Sequence, residues 1–504
     1  MTTMTFEKTP ITNRVAIEPN TQSYIYKSAL ELAHLIRTGQ ATSTAIVKAH
    51  LDQIDKHNPA LNAVVILLRE EALQVARECD EEAARGQWRG PLHGVPMTVK
   101  EQFWVKGTKC TLNFKMLKDW TAPADALTVE RLKQAGAVIL GKTNVPQNLL
   151  DYQVWGDIYP EGNNPYDLDR TPGGSSGGAA AALAAGLTPI ELGADFGGSI
   201  RVPANYCGVY GLKPTENTVP QHGMGPVPEN SKGFVSHMAQ AGPLARTLED
   251  LELVWNIIRG PHESDRTVPR IDWADATGKQ LSDYKIAWVD GWPGYETSQS
   301  TQKSIKQLVE SLEREGARLE QATPPNRLHE RTLALYVRFF PQMIAQGVPG
   351  LIRSLMKMQI KGSLMKNIDK YHREYDKGFQ PSFENYAETL TLRAELVSEW
   401  ETFFKNYDLL ICPMSYGPAF RRCKIGTPIT YEGRTMIYVN YVWPYVGCFN
   451  ASGHPALNMP LGLDPAGLPV GVQLVGSYWS EPNLLNFAKL ASPLTPGFVK
   501  PAGY

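Results

Sequence analysis

From Ser28 onward, apolar side chains return at helical spacing. Leu30, Leu32, Leu35 and Ile36 make one stripe, with Ser28 placed as an N-cap and Gly39 as the stop. A second stripe, Ile46, Val47, Leu51 and Ile54, predicts a helix that ends near Asn58-Pro59. Residues 61–68 are a short, β-branched apolar run that reads as a buried strand, and 70–85 return to helical spacing. Helix, helix, strand, helix is the order of an α/β protein. Further strands are predicted at 91–100, within 136–143, at 190–194 and at 285–289, with helices at 124–135, from Thr247, and at 301–316. Gly177 to Gly186 is apolar all round and rich in small residues, so it belongs in the centre of a core where neighbouring backbones come close.

Residues 325–400 change character, becoming long, charged and helical without short strands. Within them Leu351, Ile352, Leu355, Met356, Ile360, Leu364 and Met365 form an apolar face opposite Arg353, Lys357, Lys361 and Lys366. A packed helix pair is the expected use of that face; a lid, a membrane-touching patch or an oligomer contact are the alternatives. Strand patterning resumes at 408–412 and again at 456–461 and 470–475, the last two joined as a hairpin by Asp464-Pro465-Ala466-Gly467. With no repeat and no low-complexity linker, residues 1–504 read as one catalytic domain carrying a helical insertion or lid at 325–400.

Composition narrows the partners. Lysine plus arginine (50) nearly balance aspartate plus glutamate (51), so no global field favours nucleic acid, anionic membrane or acidic substrates. A small neutral molecule is the expected partner, and a homodimer is left open. Cys79, Cys110, Cys207, Cys412, Cys423 and Cys448 show no metal-ligand spacing and read as buried free thiols; no metal and no cofactor are expected. Met1 to Gln22 is polar and does not read as a secretory signal, and no apolar run reaches membrane-spanning length. A cytoplasmic chain without stable membrane insertion is the expectation.

Three stretches carry candidate chemistry. Lys100 closes a short apolar strand; it either snorkels out at the strand end or is buried and held neutral, able to act as a base. Gly136 to Thr143 spells the phosphate-loop pattern, but a helix precedes it, its inner residues are a strand and Pro146 follows, so Lys142 is read as structural. The third stretch holds Ser175 and Ser199, each preceded by paired glycines, in Thr171-Pro172-Gly173-Gly174-Ser175-Ser176-Gly177-Gly178 and Asp195-Phe196-Gly197-Gly198-Ser199-Ile200-Arg201-Val202-Pro203. Paired glycines let backbone amides turn towards a ligand, which places oxyanion donors beside a serine. Gly173 to Gly177 also fits the G-x-S-x-G nucleophile elbow of α/β-hydrolases, with His454 or His372 as partner, but the elbow needs a buried strand before it, and 164–172 are proline-broken and charged. A serine, serine and lysine set is the other arrangement.

These two blocks, with Gly211-Leu212-Lys213-Pro214-Thr215, Gly94-Val95-Pro96 through Lys100, Gly141-Lys142-Thr143-Asn144, Gly242 to Thr247, Gly453-His454-Pro455-Ala456-Leu457 and Gly467 to Gly471, closely resemble the amidase signature family, in that family's order. The resemblance implies a central, mixed, twisted β-sheet with helices on both faces. It also implies an amide hydrolase in which Ser199 is the nucleophile, Ser175 a bridging serine after a cis Gly174-Ser175 peptide, and Lys100 the base. Backbone amides of Phe196, Gly197, Gly198 and Ser199 are implied as the oxyanion hole, with Asp195, Arg201 and Ser176 supporting the loops. The implied substrate is a small or medium apolar amide, with carbamates or esters also open to the same triad. The alternative within the family is the A-type subunit of a glutamyl-tRNA amidotransferase complex. Glu101-Gln102 stand where the family usually has Asp-Asn, Gln147 replaces a usual glutamate and Ala194 a usual threonine, which bears on substrate preference. The stretch after Pro214-Thr215 lacks the usual tyrosine-glycine-arginine run, which weighs against the amidotransferase reading.

Overall fold

The computed structural model describes residues 24–226, 237–368 and 370–504; the polar leader, Met1 to Gln22, lies outside them. Thirteen strands occur among these residues: β1 Val64–Leu67, β2 Pro96–Lys100, β3 Val138–Thr143, β4 Ile190–Asp195, β5 Tyr210–Lys213, β6 Gln240–Ala245, β7 Lys285–Trp288, β8 Arg318–Gln321, β9 Leu409–Pro413, β10 Ile429–Tyr431, β11 Arg434–Met436, β12 Ala456–Leu463 and β13 Pro469–Val475. Eleven form one sheet in the order β1-β3-β2-β4-β6-β5-β12-β13-β9-β7-β8, and β10 and β11 make a separate hairpin. β2 runs parallel to β3 and β4, and β7 parallel to β8 and β9. The remaining pairs are antiparallel. The sheet is therefore mixed and the fold α/β, as expected.

Most predicted elements are present with ends shifted by a few residues. The first helix, Ala29–Arg37, is closed by a capping box between Ser28 and Glu31. The second runs from Ser43 to Leu61, past the Asn58-Pro59 stop that the sequence suggested. Asn58 explains the extension: its side chain accepts the Ala63 and Val64 amides, each at 2.8 Å, and thereby shapes the turn after the helix rather than ending it. Thr247 caps the helix Leu248–Ile258, and Asp464 binds the Ala466 and Leu468 amides to form the β12–β13 turn. All six cysteines are free, five of them buried. No helix among the described residues is long and apolar enough to cross a membrane.

The helix Gly177–Ala184 is buried at every position and packs on the β1 to β4 half of the sheet. Its small residues are a steric requirement. A Cβ at Gly178 would lie 2.4 Å from the Asn144 nitrogen and 2.7 Å from the Ala63 oxygen, both backbone atoms. Residues 328–404 are mostly helical, as Leu328–Ile344, Gly350–Gly362, His372–Gly378 and Phe383–Phe404. Here the apolar face read from the sequence divides. Ile360, Leu364 and Met365 are buried, whereas Leu351, Ile352 and Leu355 are exposed, so the helix Gly350–Gly362 meets the core mainly at its C-terminal end and is not one of an ordinary packed pair.

Gly178→Ala is expected to destabilise the fold by about 1–3 kcal/mol, because two backbone segments must move apart to admit one methyl group. Urea denaturation followed by circular dichroism measures this; an unchanged midpoint would show that the helix has slack against β3.

Candidate active site

β2 delivers Lys100 into the interior. Its side chain is 1% exposed, which excludes the snorkelling alternative. The Lys100 Nζ donates to Ser175 Oγ at 2.7 Å and to the Ala194 carbonyl at 3.2 Å. Burial pushes the ammonium down to about 7, against the opposing pull of Asp195 and Glu191. An amine at that value is about half free base in neutral solution, whereas an exposed lysine is almost wholly protonated.

Ser175 lies in an irregular loop before the helix Gly177–Ala184, after a cis Gly174–Ser175 peptide. A Cβ on Gly174 would stand 2.1 Å from the Asp151 oxygen, so glycine alone fits that close approach. No strand precedes the serine, which removes the nucleophile-elbow reading. His454 is buried between Ser452 and Glu401, and His372 is exposed at the start of its helix; neither lines the site. Lys142 is buried in β3 with its Nζ on the Lys109 carbonyl, a structural placement as read from the sequence.

Ser199 sits in the turn between β4 and the short helix Arg201–Tyr206. Asp195 organises that turn. Its carboxylate accepts the Gly198 amide at 2.8 Å, the Ile200 amide at 3.1 Å, Arg201 Nε at 2.9 Å and Nη2 at 3.0 Å, and Asn450 Nδ2 at 2.8 Å. Burial alone would raise this carboxyl, but the Arg201 guanidinium and Asn450 outweigh it and hold it well below the usual carboxylate range. Arg201 is itself fixed by Asn450 Oδ1 and Gln473 Oε1. The Gly198 amide, implied as an oxyanion donor, is thus committed to Asp195. Ser176 makes no side-chain cap on the helix that follows it. Its amide instead donates to the Ser199 carbonyl at 3.0 Å and its hydroxyl to the Ala194 carbonyl at 3.4 Å. Those two bonds tie the serine loops together and hold Ser199 beside the loop that carries Ser175.

Lys100, Ser175, Ala194, Asp195, Phe196 and Ser199 open together on a cavity of about 450 Å³. Leu112, Leu149, Leu150, Met224, Met343, Ile344 and Met356 give it a largely apolar wall. Among the departures noted in the sequence, Gln102 and Ala194 line the cavity, whereas Glu101 is spent on the Thr111 and Leu112 amides and Gln147 on Asp157. A third buried lysine, Lys213, donates to the Pro214 carbonyl and is not part of the lining.

Several contributors were not legible in the sequence. Asn450 and Gln473 lie 249 and 272 residues from the arginine they brace, with no local pattern to mark them. Tyr152, which donates to the Gly197 carbonyl at 2.7 Å, is equally unmarked. His237 lines the cavity and is held between Glu216 and Tyr386. Glu191 had one signal, a lone acid in the otherwise apolar start of β4.

The geometry has counterparts in known proteins. The Amidase family model matches residues 45–485. The A-type subunit of the glutamyl-tRNA(Gln) amidotransferase of Moorella thermoacetica is 33% identical, over 92% of this chain and 95% of that protein. Its equivalent from Methylococcus capsulatus is also 33% identical, over 92% and 96%. Among solved structures, a bacterial aryl acylamidase of the amidase signature enzymes superposes with a TM-score of 0.79 at 25% identity, covering 96% of this chain and 99% of that one. On a match that spans most of its length, this chain belongs to the amidase signature family, whose members act on C–N bonds.

Proposed function

We propose that this chain hydrolyses the C–N bond of an apolar amide through an acyl-enzyme on Ser199. The observation that carries the reading is the 2.7 Å hydrogen bond from Lys100 to Ser175 inside a cavity that also receives Ser199. A serine hydroxyl is a weak nucleophile until a base takes its proton. In this reading Ser199 Oγ bonds to the carbonyl carbon and passes its proton to Ser175 Oγ, while the Ser175 proton moves to Lys100 Nζ. The carbonyl π pair moves onto oxygen, where the Phe196, Gly197 and Ser199 amides receive it. The reverse relay protonates the leaving nitrogen as the C–N bond breaks, and water then releases the acid. The relay uses protein groups alone. The cavity side chains Met343, Ile344, Gln346 and Met356 come from residues 325–400, which we assign as a lid over the substrate.

The amidotransferase role is the second reading, and the curated relatives favour it. In that role the chain would release ammonia from glutamine for partner proteins. Glutamine brings an α-ammonium and an α-carboxylate, each of which needs a counter-charge when desolvated. Among the described lining residues, Lys100 and Asp195 are the lysine and carboxylate present, and both are engaged, with Ser175 and with Arg201. That lining supports an uncharged substrate.

Three outcomes are expected. Ser199→Ala and Lys100→Met should each lower kcat by roughly a thousandfold or more, and Ser175→Ala by roughly a hundredfold, with Ser199→Ala also losing fluorophosphonate labelling; an active Ser199→Ala variant would sink the assignment. The kcat/KM of the wild type should rise as pH passes about 7, because Lys100 accepts a proton only once it has lost its own; a pH–rate profile checks this. The isolated chain should cleave aryl and aliphatic amides and leave glutamine intact. Glutaminase activity that appears only with co-purified partners would instead establish the second reading.

A further inference from the structure

β2 and β4 run parallel with Thr98 beside Glu191 and Val99 beside Leu192, and β3 places Thr143 beside Lys100. Register partners share a face of a sheet and successive residues alternate between faces. Met97, Val99, Ile190 and Leu192 accordingly enter one apolar core, and Thr98, Lys100, Thr143 and Glu191 share the opposite face. The helix Gly177–Ala184 covers that face with glycine, alanine and leucine. Glu191 is 0% exposed. Among the described residues, neither of its carboxyl oxygens nor the Thr98 and Thr143 hydroxyls completes a well-aligned hydrogen bond, although both hydroxyls stand close enough to act on the carboxyl. A buried carboxyl this poorly matched is costly, and packing alone gives no reason for it.

We infer that Glu191 is a positioning residue for Lys100: its carboxyl, one strand away on the same face, sets how readily the amine takes up the proton relayed from Ser199. The inference rests on the reading of Lys100 as the base and deepens it. When the relay runs, Lys100 Nζ changes from amine to ammonium and needs a counter-charge. Asp195 is already divided among Arg201, Asn450 and backbone amides. Glu191 is a carboxyl not so engaged. Burial raises this carboxyl, with Thr98, Thr143, the Leu192 amide and Lys100 drawing it back, and its charge in turn favours the ammonium of Lys100. Two such groups titrate as a pair. Among the described residues, the other elements packed here bring no competing charge to Glu191: β6 sets Leu244 opposite it, the covering helix is apolar, and Arg201 and Lys213 act on Asp195.

The test is the pH profile of kcat/KM on an apolar amide for the wild type, Glu191→Gln and Glu191→Leu. Removing the carboxylate removes the pull that favours the ammonium, so both variants should move the acid limb to lower pH by about half a unit or more and lower the plateau kcat severalfold. Glutamine keeps the shape of the side chain and leucine removes its polarity, so one folded variant suffices, and circular dichroism checks the fold. Profiles that superimpose on the wild type after normalisation overturn the inference while leaving the base assignment standing. A Lys100→Met variant that keeps the wild-type limb overturns both.

Discussion

Everything at this site depends on keeping one amine out of water. A lysine at the surface stays protonated in neutral solution, and no arrangement of serines around it would then have a base to use. Lys100 escapes that fate because it ends a strand flanked on both sides. β3 and β4 close its edges, and the helix Gly177–Ala184 lies on its face. Desolvation then does what no single contact could: it weakens the ammonium until the free amine is well populated in neutral solution, on a nitrogen that bonds Ser175.

The same dry interior imposes a cost on every other charge nearby, and the two carboxyls of β4 meet it in opposite ways. Asp195 stays ionised because Arg201 presents its guanidinium fork to it and Asn450 and the turn amides fill its remaining acceptor positions. A buried ion pair is tolerable when geometry and hydrogen bonding are this complete. Its contribution is positional, since it fixes the backbone on which Ser199 stands. Glu191, at the other end of the same face of β4, receives no such set of partners, and burial raises its carboxyl while Lys100 draws it back. One strand thus carries an anchored anion and an unanchored acid on either side of Lys100.

Local pattern made much of this visible. The all-apolar, small-residue run at 177–186, the Ser28 and Thr247 caps and the Asp464 turn each follow from interactions within a few residues, and each was found where expected. The apolar face at 351–365 was legible as a helix face, but its burial was not. Which part of an amphipathic helix meets a core depends on where that helix sits, and Leu351, Ile352 and Leu355 are exposed while Ile360 is not.

By itself, the order of residues determined the α/β class, the two glycine-serine loops and the strand that ends in Lys100, because backbone periodicity and glycine freedom are local properties. Lys100's own segment pointed to snorkelling, the commoner use of a strand-end lysine, because nothing local marks a buried one. The tertiary structure decided otherwise, by placing β3, β4 and a helix of alanines around that one nitrogen. Asn450 and Gln473 belong to the same category: burial and long-range hydrogen bonding depend on which distant chain segments meet, and that is settled only when the sheet closes.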